Sequence, residues 1–157
     1  MYRSFAEIKE ALANGKTVVD ITKSYLAKIS DKQNLNVFLE VFEDSALKKA
    51  AEVDQKLKDG SAGKLAGMVI ALKDNIAYKG HKVSASSKIL EDFESLYSAT
   101  VVERIIKEDA IIIGRTNCDE FAMDLTFPLV LYFPSCSFKL KIYVPKLLKI
   151  SGCQAFI

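Results

Sequence analysis

At 157 residues, half of them hydrophobic and 27% charged, the chain has the make-up of a single soluble globular domain with a real core. A formal charge of +2 argues against a strongly electrostatic nucleic-acid binder. The three widely spaced cysteines (Cys118, Cys136, Cys153) and the amphipathic, acid-bearing opening MYRSFAEIKEAL point to a reducing cytosol, not to a disulfide scaffold, a secretory leader or a transit peptide.

In chain order, Ser4 with Glu7 forms a capping-box signal, and Phe5, Ile8 and Leu12 recur on one helical face before Asn14-Gly15 ends the segment. A second helix is predicted over Val18 to Ile29, with Ile21, Tyr25, Leu26 and Ile29 as its apolar stripe. Asn36 to Val41 reads as a short strand. Ser45 to Leu57 reads as a third helix stopped by Gly60. After the flexible turn Gly60 to Gly63, Leu65 to Leu72 is apolar almost throughout, as in a strand buried on both faces. Thr100 with Glu103 offers another capping box, opening a helix that turns Val101, Val102, Ile105 and Ile106 inward. Ala110 to Ile113 then gives a further buried strand ending at Gly114. Strand, helix and strand in this order imply a right-handed crossover and a parallel pair, so the expected fold is α/β: amino-terminal helices followed by the first part of a mixed, mainly parallel sheet.

The chain changes character near residue 123. All three prolines (Pro128, Pro134, Pro145) follow it, no acidic residue follows Asp124, and Lys139, Lys141, Lys146 and Lys149 are unbalanced. The most apolar stretch, Leu125 to Phe138, contains two of the prolines and is too short to span a bilayer. The expected organisation is a folded part over residues 1–123 and a poorly ordered tail over 124–157, open to aggregation through its β-prone run.

Polar groups gather beyond the carboxyl ends of strands in open parallel sheets. Two such clusters are Lys73-Asp74-Asn75 and Arg115-Thr116-Asn117. A lysine at the end of a buried strand is partly desolvated and can serve as a base, although most lysines are simply solvated. His81, the only histidine, sits among Lys79, Gly80 and Lys82 without a metal-ligand partner, and reads as part of a surface loop. Asp119 and Glu120 resemble the acidic first turn of a helix. Cys118, with no nearby histidine, is better read as a buried thiol than as a nucleophile. Ser84, Ser86 and Ser87 lack the flanking glycines of a nucleophile elbow or a phosphate loop, and no metal or dinucleotide signature is present.

Four ordered segments carry a specific resemblance. LAGMVIALKDNIAYKG (Leu65 to Gly80), SASSKILEDF (Ser84 to Phe93), SATVVERI (Ser98 to Ile105) and AIIIGRTNCDEFAM (Ala110 to Met123) resemble the amidase-signature family. The pieces ASSKIL and TNCDEFAM favour the branch that serves tRNA-dependent amidotransferases as their glutaminase component over stand-alone amidases. The resemblance implies a Ser–Ser–Lys amidohydrolase, in which a nucleophilic serine attacks an amide, a second serine in a cis peptide relays the proton, and a lysine is the ultimate base. Backbone N–H groups of a glycine-rich loop stabilise the oxyanion. Lys73 matches the lysine, and Ala122 and Met123 fall where family members line the acyl pocket.

For that branch the resemblance implies glutamine as the amide and, in the cytoplasm, the B and C partner subunits of the amidotransferase. Ammonia passes to them to amidate Glu-tRNA(Gln) or Asp-tRNA(Asn). It implies no cofactor in this chain, with ATP and Mg needed only by the whole complex, and no membrane.

The family pattern continues after its FAM triplet with Gly-Ser-Ser and then a Gly-Gly-Ser-Ser-Gly-Gly stretch, where this chain reads DLTFPLVLYFPSCSF. Ser135, Ser137 and Ser151 lack that glycine context, so neither the nucleophile nor the bridging serine is assigned to any residue. Loss of one G from ATG-GGA-TCT, encoding Met-Gly-Ser, yields Met-Asp-Leu, which is Met123-Asp124-Leu125 here and suggests a frameshift. Three functions follow as expectations: a glutaminase component of the amidotransferase by origin, a non-catalytic fragment or binding remnant by its missing serines, and a general small-amide amidase as the third.

Overall fold

The computed structural model describes residues 2–118. Helix α1 (Phe5–Ala13) is capped by Ser4, whose Oγ accepts the N–H of Glu7 at 3.2 Å. The Glu7 carboxylate takes the N–H of Arg3 at 2.7 Å instead of that of Ser4, so only half of the expected capping box forms. Helix α2 (Val18–Asp31) runs two residues past the expected end and opens with a complete box between Thr17 and Asp20 that the sequence reading missed. Asp54 adds to it from another helix, accepting the N–H groups of Val18 at 2.7 Å and Val19 at 3.1 Å.

Strand β1 (Phe38–Val41) starts two residues later than expected, because Asn36 is left-handed (φ +48°) and cannot begin an extended run. Helix α3 (Glu43–Lys58) follows at once, before the expected Ser45, with buried Phe42 at its start. It stops at Gly60 (φ +69°) as expected.

Only the second half of the apolar run Leu65 to Leu72 is strand. β2 spans Val69–Lys73, and residues 64–67 form a turn through Gly67 (φ +82°), where a Cβ would lie 2.9 Å from Leu12 Cδ1. In helix α4 (Thr100–Lys107) Thr100 is the first helical residue. Ala99 occupies the cap position and makes no side-chain bond, so the expected Thr100–Glu103 box does not form. Val102 and Ile105 are buried, and Val101 and Ile106 pack partly buried beside them.

Strand β3 (Ile111–Thr116) continues through Gly114 where the sequence suggested an end. The glycine is needed for close approach: a Cβ there would meet the Glu40 carbonyl oxygen of β1 at 2.5 Å.

The sheet order is β1-β3-β2, with β2 parallel to β3 across α4 and β1 antiparallel to β3, a small mixed sheet of the expected kind. Both faces are covered. Ile70, Leu72 and Ile112 pack with Phe42, Val102 and Ile105 on the α4 side. Ile111 packs with Val18, Ala46, Ala50, Val53 and Ala66 on the side of α2 and α3. The second layer is tied to the sheet by Asp109, which precedes β3 in a left-handed conformation (φ +63°). Its buried carboxylate accepts from Lys56 at 2.6 Å, Gly63 N–H at 3.0 Å and Lys49 at 3.2 Å.

Candidate active site at the strand ends

Lys73 is the last residue of β2, half-buried and in register with Thr116, the last residue of β3. The two polar clusters read from the sequence therefore meet. Asp74 donates its N–H to the Thr116 carbonyl at 3.0 Å, extending the parallel ladder one step past both strands. Its carboxylate is fully buried and takes four donors. Oδ1 accepts from the Arg115 guanidinium and from the Ser84 N–H at 3.1 Å. Oδ2 accepts from Ser84 Oγ at 2.5 Å and from the Ser86 N–H at 3.3 Å. Such burial of a charge is sustainable only with a paired cation and filled lone pairs, and both are present.

The serine segment is thus wrapped around Asp74. Ala85 and Ser86 are both left-handed (φ +46° and +54°), which turns the Ser84 and Ser86 N–H groups inward on the same carboxylate. Ser86 Oγ then donates to the Cys118 carbonyl at 2.5 Å and lies 3.6 Å from its Sγ, clasping the exit of β3. The sequence reading rightly denied these serines a nucleophile's glycine context but saw no other task for them. Cys118 is buried, as expected.

Arg115 also faces Glu40 of β1, with Nε 3.6 Å from Oε2, and Glu40 Oε1 lies 3.9 Å from His81 Nδ1. His81 is not loose on a surface loop. Its ring stacks on Tyr78 with centroids 4.5 Å apart and packs at 4.1 Å against Phe42. Asn75 is exposed. Among the described residues no cluster of three metal-ligating side chains occurs, and no helix is long and apolar enough to cross a membrane. Asp119, Glu120, Ala122, Met123, Ser135, Ser137 and Ser151 lie outside the described residues, as does the whole of 124–157.

A pair of polar strand ends above a doubly covered sheet, with a half-buried lysine beside a buried Asp–Arg pair, is a site suited to moving a proton, not to binding a metal. The family model described as Amidase matches residues 20–134. The glutamyl-tRNA(Gln) amidotransferase of Chlorobium phaeobacteroides (strain DSM 266 / SMG 266 / 2430) has an A-type subunit that is 44% identical over 124 residues, 78% of this chain and 26% of the relative. Its counterpart of the same name from Chlorobaculum tepidum is 46% identical over the same shares. A crystallised amidase superposes with a TM-score of 0.68 at 26% identity, over 76% of this chain and 28% of that one. The chain belongs to the amidase family. It spans about a quarter of the length of the curated relatives it matches.

Proposed function

We propose that residues 1–123 are the lysine-bearing part of the glutamine-hydrolysing component of a tRNA-dependent amidotransferase, with Lys73 as the general base. The observation that carries this reading is Lys73 itself, half-buried at the carboxyl end of β2 and braced by Asp74 and Arg115, in a chain 44% identical to a protein of that name. In the complete enzyme, Lys73 would take the proton that a bridging serine relays from the nucleophilic serine as that serine attacks the glutamine amide carbon. Ammonia would leave toward the B and C partner subunits, where ATP and Mg support amidation of Glu-tRNA(Gln) or Asp-tRNA(Asn) in the cytoplasm. Ala122 and Met123 would line the acyl pocket.

The 157 residues carry no Gly-Ser-Ser or Gly-Gly-Ser-Ser-Gly-Gly stretch, and a base cannot replace the acyl-accepting serine. This chain by itself is therefore a non-catalytic fragment or binding remnant, and a general small-amide amidase would share the same defect. Residues 124–157 are read as a shifted-frame tail. The coding DNA past codon 123 should contain the glycine- and serine-rich family sequence in another frame, and its absence there would remove that account.

Two assays test the functional reading. The purified chain should hydrolyse no glutamine above background; turnover that vanishes in Lys73→Ala would refute its inactivity. In a chimera, residues 1–123 replace the matching segment of the Chlorobaculum tepidum protein. It should hydrolyse glutamine and lose at least about a thousand-fold in kcat on Lys73→Ala. A chimera that hydrolyses simple amides but not glutamine would favour the small-amide reading, and one indifferent to Lys73→Ala would remove Lys73 from the chemistry.

A further inference from the structure

We infer that Asp74 is the positioning residue for Lys73, a role that rests on the functional reading above and adds to it the device that holds the base. Lys73 is the last residue of an edge strand, and strand ends fray unless something beyond them is fixed. What is fixed here is the next residue. The Asp74 N–H bonds to Thr116, its carbonyl accepts the Ala85 N–H at 3.0 Å, and its carboxylate gathers Arg115, Ser84 and Ser86. Ser86 closes the knot by donating to the Cys118 carbonyl. The exits of β2 and β3 and the 84–87 turn thus form one block, and Lys73 enters it with its backbone held on both sides, since its own carbonyl accepts the Ile76 N–H at 2.9 Å.

Only a carboxylate can fill this place. All four groups pointing at Asp74 are donors, and an ionised carboxyl is acceptor-only. Asparagine would set N–H groups against two of those donors and leave the Arg115 guanidinium uncompensated in a buried site. The turn is a nest for an anion, and the anion is the chain's own side chain.

The test uses the full 157-residue chain and needs no enzymatic activity. Each lysine is acetylated with a small amine-reactive reagent at one pH, and its rate is read by mass spectrometry. Asp74→Asn should change the Lys73 rate by at least about five-fold, because one unmade buried hydrogen bond of this kind alters local opening by that much. Lys49 and Lys56, which grip Asp109 instead, should change less than about two-fold. Ser84→Ala removes one donor without touching the core, and should shift Lys73 alone by at least about two-fold. In Asp74→Gly, added formate should fill the nest and return the Lys73 rate toward wild type.

A Lys73 rate unmoved by Ser84→Ala, or one that moves only in step with Lys49 and Lys56, overturns the inference. Formate without effect on a folded Asp74→Gly chain does the same. If Lys73 behaves as expected while the chimera hydrolyses no glutamine, the positioning role stands and the assigned function fails.

Discussion

Asp109 shows how much one side chain can depend on its donors. Burial pushes its carboxyl up, but the hydrogen bonds from Lys56, the Gly63 N–H and Lys49, with the Lys49 charge, outweigh that and bring it down to about 2 from an ordinary 3.8. Because the folded value is the lower one, the stabilisation is present in full above the unfolded value. It disappears as pH falls from about 3.8 toward about 2. Lys56 is partly exposed, so solvent screening reduces the effect to on the order of 1–2 kcal/mol. Asp109→Asn should lower stability by that amount at neutral pH and flatten the dependence of the urea midpoint between about pH 4 and about pH 2. An unaltered acid limb in the variant would mean that other carboxylates carry it. The left-handed backbone at Asp109 is compatible with this role, since Asp and Asn tolerate that conformation better than most residues.

Among the elements, α2 is held at its start by two carboxylates on different helices. Asp20 completes the local box with Thr17, and Asp54 reaches over from α3 to the N–H groups of Val18 and Val19. A helix leaves its first N–H groups unpaired, and their positive end favours an anion. Asp54→Ala should therefore cost about 1–2 kcal/mol. It should speed amide exchange at Val18 and Val19 while leaving the first turn of α1 unchanged. Equal protection in variant and wild type would show that the Thr17–Asp20 box suffices. That box was open to reading, because a threonine and an aspartate three residues apart at the head of an apolar stripe form a short-range pattern. The Asp54 cap was not, because partners 35 and 36 positions apart leave no mark in the local sequence.

At the scale of the whole molecule the same division explains what the sequence disclosed. The 3.6-residue period found all four helices, and the two apolar runs found β2 and β3, because burial writes itself into local pattern. Strand ends were misplaced where backbone geometry prevailed over hydropathy, at Asn36, at Gly67 and at Gly114. Of the site, Lys73 and the clusters at the strand ends were legible, and their union through Asp74 was not. Ser84 and Ser86 lie 10 and 12 residues from Asp74, and Arg115 lies 41. Nothing periodic connects them.

That union depends on a sheet buried on both faces, which makes the two hydrophobic layers a single cooperative unit. Ile111→Ala removes contacts on the α2 and α3 side, and Leu72→Ala removes them on the α4 side. Each should cost about 2–5 kcal/mol, a large part of the stability of a domain this size. Because β2 and β3 carry residues of both layers, either lesion should lower one shared urea transition seen alike by far-ultraviolet dichroism and tyrosine fluorescence. If Leu72→Ala instead splits the transition and leaves the helical signal of α2 and α3 at the wild-type midpoint, the two layers fold independently. The strand ends would then be a junction between units, and Lys73 would be held from one side only.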